Sequence, residues 1–429
     1  MRAFVVVALV GILAVPAIGQ AVAAPVSPEL TWGEPAVPAK VPEWAAADLE
    51  KLFADVMKQP DAYSGAWFDG ETESVVVGIP SAVDADSSNV TSASILDRLD
   101  LDRQPSISIQ GRTAGQLMRA ADAAIREPLE SGRLMSVSVD WEGNGLSVGV
   151  SPNNLKTQLA LERTKFSPLL TGVRVGVPAY QNSGPGRDYD RYPYTGAADV
   201  SSAPYGVPLR VNKCSTGFAM KRPDGSKHFM LTAGHCTSSY PGNTPVIDAY
   251  TLDLSNNPTV LLGTSVGYGN SLCSSTGESC YQGGARYGDV GVYRVSGNEA
   301  KIWSGTATTN VKATVVSTQT GLPAVGDTMC FDGSTSGKRC NLYITDNYTY
   351  YLESGNLYRG PVVRALAAIN KCSQVGDSGG AVYKPTTGGV RASGIVSGSN
   401  PNNGIGSCEF YYTSIYYAQQ LFNVQTVLP

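Results

Sequence analysis

A small α+β unit followed by an all-β unit that ends in one short helix is the fold this sequence predicts, and three observations predict it. All eight cysteines and 21 of the 22 tyrosines lie from Tyr180 onward, so composition shifts abruptly at that point. Before it, stretches with helical apolar spacing alternate with a hairpin pattern; after it, short Val-, Thr- and Tyr-rich runs are broken every ten residues or so by Gly, Asn and Pro. In the first unit, Trp44 to Lys58 and Thr113 to Glu130 read as helices, the second because Leu117, Met118, Ala121 and Ile125 fall on one face. Leu134 to Asp140 and Gly145 to Val150 alternate in the manner of strands, and Trp141-Glu142-Gly143-Asn144 joins them as a hairpin loop. This unit, residues 24 to 180, has no histidine and no cysteine and reads as non-catalytic. Residues 181 to 204 mix Gly, Pro, Tyr and Asp without periodicity, the composition of a linker. The third segment, residues 205 to 429, carries the pattern of a sandwich or barrel, and Ile415, Ala418, Leu421 and Phe422 form the face of its closing helix.

Composition excludes several roles. A chain of 429 residues, 42% of them hydrophobic, has material for two cores, which argues against wholesale disorder. A net charge of −4 is too small for a nucleic-acid binder. The charge divides unevenly: residues 24 to 180 hold 21 acidic and 13 basic side chains, net −8, while residues 181 to 429 hold 15 and 18, net +3. Met1-Arg2, an apolar run from Ala3 to Ile18 and small residues up to Ala23 describe a signal peptide over residues 1 to 23. The expectation is a secreted protein with no membrane segment in its mature form, and an even cysteine count suits an oxidising space.

Three short stretches carry chemistry. Leu231-Thr232-Ala233-Gly234-His235-Cys236 ends an apolar strand in small residues and a histidine; Tyr287-Gly288-Asp289-Val290 starts an alternating strand with an aspartate; Gly376-Asp377-Ser378-Gly379-Gly380 sets a serine among glycines. A serine hydroxyl is a poor nucleophile at neutral pH unless an imidazole takes its proton, and a buried carboxylate fixes that imidazole's tautomer. Ser378, His235 and Asp289 fill those roles, and the glycines let the N–H groups of Gly376 and Ser378 converge on one point as an oxyanion hole. His228 reads as a surface residue. His235-Cys236 does not read as a metal site, since His228 is the only other histidine, and no cofactor is expected.

These motifs, in the order His, Asp, Ser, resemble the chymotrypsin family of serine proteases, closest to the bacterial secreted branch of the streptogrisins and α-lytic protease. Met329-Cys330 through Cys340, and Cys372 six residues before the serine, are in the style of that branch. The resemblance covers residues 205 to 429 and implies two six-stranded β-barrels with the triad between them, acting on protein or peptide substrates. For residues 24 to 180 it extends only to arrangement: an α+β pro-region that would be the protease's own partner in a zymogen. By analogy Cys214 pairs with Cys236, Cys330 with Cys340, and Cys372 with Cys408, leaving Cys273 and Cys280 to close an extra loop. Asp377 in the family has a buried cationic partner; here Phe331 stands where the branch often has an arginine, leaving Arg339, Lys338 or a freed N-terminal amine. Substrate would lie along Ser397, Gly398 and Ser399 as an added strand. Cys372 at the pocket base and the absence of histidine beyond His235 disfavour Lys, Arg or Glu at P1, and Ser399 in place of glycine narrows the entrance. A catalytically silent homologue that binds peptides in the same cleft is the alternative; an esterase would need a different surrounding fold.

Overall fold

The computed structural model describes residues 31–32, 41–81, 101, 103–125, 133–151, 160–161, 163–175, 193–204, 212–238, 247–252, 258–270, 272–274, 288–308, 311–354, 357–400 and 407–429. The signal-peptide reading of residues 1 to 23, the linker up to 192 and the loop closed by Cys280 lie outside them.

In the first unit, α1 (Glu43–Lys58) starts after Pro42 with an acid in its first turn and a base in its last, both matching the helix dipole. Its buried face holds Ala45, Leu49, Leu52, Phe53 and Val56. Strands β1 (Gly65–Asp69), β2 (Ser74–Pro80) and β3 (Ser106–Gln110) form a three-stranded sheet. Helix α2 (Ala114–Ala124) begins at a capping box, in which Thr113 and Gln116 satisfy each other's backbone N–H. It ends sooner than the apolar spacing predicts. Strands β4 (Arg133–Asp140) and β5 (Gly145–Ser151) make the expected hairpin, with Asn144 in the left-handed region at φ 49°, and β6 (Leu170–Val175) pairs with β5 in parallel.

Part of the predicted linker is strand. Residues β7 (Tyr194–Gly196) and β8 (Asp199–Pro204) pair within the second unit, β8 with both β9 (Asn212–Ser215) and β12 (Ile247–Leu252). Gly and Pro gave that stretch its linker composition, but partners on both sides override weak local preference. Further strands are β10 (Ala219–Lys221), β11 (His228–Thr232), β13 (Pro258–Asn270), β14 (Asp289–Val295), β15 (Asn298–Trp303), β16 (Lys312–Thr318), β17 (Thr328–Gly333), β18 (Gly337–Ser354), β19 (Leu357–Ala368), β20 (Ala381–Thr386), β21 (Gly389–Asn400), β22 (Ser407–Ser414) and β23 (Gln425–Thr426). Two short helices interrupt them, α3 (Gly234–Ser238) after β11 and α4 (Ile415–Phe422) after β22. Among the described residues the pairing does not divide into two sets of six. An eight-stranded sheet runs β9-β8-β12-β13-β14-β11-β10-β23, and a 14-stranded sheet takes in β7, β15 to β22, β4, β5 and β6 together with the short strands Thr31–Trp32 and Leu272–Ser274.

The two units share that large sheet because β4 adds to β18, with Ser136, Val137 and Ser138 opposite Tyr351, Tyr350 and Thr349. Strand alternation then sorts the β18 side chains: Tyr348, Tyr350 and Leu352 enter the apolar core of the first unit, whereas Tyr351 turns the other way and packs with Val362 and Tyr411. Each such buried ring contributes roughly 1.5–3 kcal/mol of apolar burial. Polar contacts seal the seam. Trp141 Nε1 donates to Asn347 Oδ1 at 2.8 Å, Tyr350 donates to Asp122, and Arg391 pairs with Glu50. At Gly321 the second unit meets α1 so closely that a Cβ would stand 2.7 Å from the Ala54 nitrogen and the Glu50 carbonyl oxygen.

Candidate active site

The apolar strand β11 buries Phe229, Met230 and Leu231 and runs into α3, which places His235. The Cys214–Cys236 disulfide ties α3 to the end of β9. Asp289 is the first residue of β14, after Gly288 at φ 68°, where a Cβ would meet the Pro361 carbonyl oxygen at 2.6 Å. Thr413 of β22 locks that strand end: its hydroxyl accepts from the Asp289 N–H at 2.9 Å and donates to the Asp289 carbonyl at 3.1 Å.

Asp289 is wholly buried and accepts four hydrogen bonds. Oδ1 receives the His235 backbone N–H at 2.8 Å and Arg359 Nη1 at 2.7 Å; Oδ2 receives His235 Nδ1 at 2.8 Å and the Ser397 hydroxyl at 2.6 Å. Four donors fill the lone pairs of an ionised carboxylate, so the His235 proton sits on Nδ1 and Nε2 is left as the acceptor. Burial pushes the Asp289 carboxyl up, but the Arg359 guanidinium and His235 outweigh it and hold the group well below the usual carboxylate range.

Ser378 follows in a turn that only glycines can make. Gly379 has φ 85°, and a Cβ there would stand 2.3 Å from the Ser215 carbonyl oxygen and 2.4 Å from Thr232 Oγ1. The Ser378 carbonyl accepts from the Ser215 N–H at 2.7 Å, which seats the serine against the strands leading to His235. Its hydroxyl is buried and makes no hydrogen bond, so a Ser378–His235 bond is not formed in this arrangement. Gly376, at φ 101°, is fixed through its carbonyl, which accepts from the hydroxyls of Ser215 at 2.7 Å and Ser334 at 3.2 Å. This leaves the N–H groups of Gly376 and Ser378 with no acceptor among the described residues.

Among the described residues, neither Arg339 nor Lys338 pairs with Asp377. Three backbone N–H groups hold it instead: Thr335 at 3.0 Å and Ser336 at 2.9 Å on Oδ1, and Gln374 at 2.7 Å on Oδ2. Lys338 stands over the Tyr383 ring, and Phe331 stacks on Phe410 with ring centroids 4.9 Å apart. Burial pushes the Asp377 carboxyl up, and the donors from Ser336, Gln374 and Thr335 only partly hold it back. Gly333 makes room, since a Cβ there would lie 2.2 Å from Asp377 Oδ1.

The other singled-out residues fall as follows. Cys372 is disulfide-bonded to Cys408, as Cys330 is to Cys340. Ser399 donates to the Ser373 carbonyl at 3.0 Å, joining the strand 397 to 400 to the segment that carries Cys372. Gly398 and Ser399 face Tyr411 and Phe410 across the β21–β22 ladder. Ser397, expected to lie along the substrate backbone, gives its side-chain hydroxyl to Asp289. His228 is half-buried rather than a surface residue, with Nδ1 3.0 Å from Asn298 Oδ1, because Asn298 bridges the neighbouring strands. Donor atoms of Cys214, His235 and Cys236 lie within 4.8 Å of one another. The two sulfurs are bonded together and Nδ1 is engaged by Asp289, so the cluster offers no thiolate to a cation. Sequence reasoning missed Arg359, whose role depends on strand register and leaves no local motif.

Serine protease 2 of Streptomyces fradiae is 30% identical to the chain over 190 residues, a match spanning 44% of this chain and 88% of that protein. Among solved structures, Thermobifida fusca protease A is 21% identical, covering 55% of this chain and 98% of its own, with a TM-score of 0.37. The Nocardiopsis protease is 19% identical, covering 54% and 97%, with a TM-score of 0.36. No protein-family profile matches the chain.

Proposed function

We propose that this chain, which belongs to the chymotrypsin-like serine proteases, is a secreted endopeptidase made as a zymogen, with Ser378 as nucleophile, His235 as base and Asp289 as its orienter. The observation that carries this reading is the four-donor cradle of Asp289, which sets the imidazole tautomer the reaction needs. Ser378 Oγ attacks the scissile carbonyl as its proton passes to His235 Nε2, and the imidazolium is stabilised by Asp289 across Nδ1. The N–H groups of Gly376 and Ser378 receive the developing oxyanion. His235 returns the proton to the leaving amine, and water then releases the acyl group from Ser378 by the same relay. Cleavage after uncharged P1 residues of small or medium size belongs to this reading: Ser399 is bonded to the Ser373 carbonyl and Cys372 to Cys408, so neither offers a charge to pair with a charged P1 side chain. Turnover of a peptide library by the matured enzyme tests the reading. Ser378→Ala should lower kcat by about 10⁴-fold or more; full activity in that variant would overturn it.

Residues 24 to 180 act in this reading as a pro-region that assists folding and keeps the nucleophile out of reach. The seam through β4 and β18, the shared aromatic core and the complete burial of Ser378 in the full chain support it, as do net charges of −8 and +3 on the two parts. Expression of residues 181 to 429 alone should give little active enzyme, with recovery when residues 24 to 180 are supplied separately. Equal yields would reject the folding role.

A further inference from the structure

We propose that Arg359 is a positioning residue of the triad, a guanidinium that balances the charge of Asp289 and fixes its orientation, delivered by the same β18–β19 hairpin on which the pro-region strand docks. The inference rests on the triad reading above and goes beyond it, because it assigns the triad a fourth charged member.

Geometry comes first. Arg359 and Asp289 are both sealed from solvent, with side-chain exposures of 1% and 0%, so their 2.7 Å contact is not diluted by water. Arg359 donates to Oδ1, while the imidazole donates to Oδ2. The cation therefore neutralises the carboxylate without competing for the oxygen that holds Nδ1. Without Arg359 the buried carboxylate would keep the His235 N–H, a neutral imidazole and a hydroxyl but no countercharge, at considerable cost.

The register of the hairpin supplies a second, independent link. Arg359 of β19 lies opposite Tyr351 of β18, and Tyr351 is opposite Ser136 of the pro-region strand β4. Ser397 gives its single hydroxyl proton to Asp289 at 2.6 Å, so the 3.1 Å contact between Tyr351 and Ser397 must have Tyr351 as the donor. One cross-strand pair thus flanks the triad carboxylate from both sides: Arg359 touches it directly, and Tyr351 holds Ser397 against it.

Among the described residues, the charged or titratable groups that meet this carboxylate from the packed elements are few. His235 comes from α3, Arg359 from β19, and Tyr351 from β18 through Ser397 of β21; β22 contributes the uncharged Thr413 and the Tyr411 ring stacked on Tyr351 at 4.3 Å. Arg364 of β19 and Glu409 of β22, buried ions of the neighbouring ladder, are paired with each other. Removing the Arg359 charge strengthens the pull of Asp289 on the imidazole proton and also makes Asp289 itself easier to protonate. Both changes move loss of activity to higher pH.

The experiment is the pH profile of kcat/KM for the enzyme matured from the full chain, with Arg359→Met, Arg359→Gln and Arg359→Lys. The Met and Gln variants should shift the acidic limb upward by about one pH unit and lower kcat by about tenfold with KM nearly unchanged, while Lys restores the wild-type limb. A folded Met or Gln variant with its limb in the wild-type place overturns the proposal. Should neither neutral variant fold, the Lys variant decides through the downfield His235 Nδ1 proton resonance, which should move when the bond to Oδ1 is altered; an unmoved resonance overturns the proposal. Ser378→Ala, run in parallel, separates the two claims: if it remains active the triad reading itself has failed, and if it is inactive a negative Arg359 result counts against the proposal alone.

Discussion

Asp289 and Asp377 are both fully buried, one against His235 and the other next to Ser378 in the chain, yet they are held in opposite ways. Asp289 draws its donors from α3, β19 and β21, including one full positive charge. Asp377 draws three backbone N–H groups from the loops around residues 335 and 374 and, among the described residues, no cation. The difference matches the roles proposed for the two. A carboxylate that must steady a developing imidazolium needs an environment that favours its charge, whereas one that shapes a turn needs only partners that fix its direction.

The largest effect expected from breaking this contrast is on catalysis. Asp289→Asn keeps the shape, but the N–H donors at Oδ1 leave its N–H₂ on the Oδ2 side, where it faces His235 Nδ1 and imposes the wrong tautomer, so kcat should fall by about 10⁴-fold with little change in KM. Asp377→Asn should act mainly on stability. Its oxygen can still accept from Thr335 and Ser336, but its amide would confront the Gln374 N–H, leaving a buried donor unpaired at a cost of about 1–3 kcal/mol in denaturant unfolding. Ser397→Ala removes one of four donors to Asp289 and should cost about tenfold in kcat.

The smallest and sharpest test is the sign of the pH dependence. The folded value of Asp289 lies below its unfolded value of about 3.9, so its stabilisation is complete above that pH and is lost on acidification. Asp377 is raised, so its ionised form costs stability at neutral pH and the cost disappears as pH falls. Between pH 7 and pH 3 the stability advantage of wild type over Asp289→Asn should therefore shrink, by about 1 kcal/mol, while its advantage over Asp377→Asn should grow. Parallel trends in the two variants would remove the contrast.

Much of this was legible in the sequence where the signal is local. Helix spacing marked α1, α2 and α4, the Trp141–Asn144 loop marked the β4–β5 hairpin, and short motifs singled out His235, Asp289 and Ser378, which the structure brings to one region. Signals that depend on register or on backbone were not legible. Arg359 meets Asp289 across 70 residues because of how β18 and β19 pair. The partners of Asp377 are main-chain amides, which any residue supplies, so a search for a cation among side chains could not find them. The strands β7 and β8 were hidden for a related reason: Gly and Pro composition spoke for a linker, and only pairing with β12 and β15 overrode it.

The central claim is that Ser378 is the nucleophile primed by His235 and Asp289, and it is most directly tested by labelling. The matured enzyme is treated with a peptidyl phosphonate bearing a small apolar P1 group, digested, and mapped by mass spectrometry. The account predicts a single adduct on Ser378 Oγ, formed at a rate that collapses in His235→Ala. An adduct on another residue, or labelling of Ser378 at an undiminished rate without His235, would contradict it.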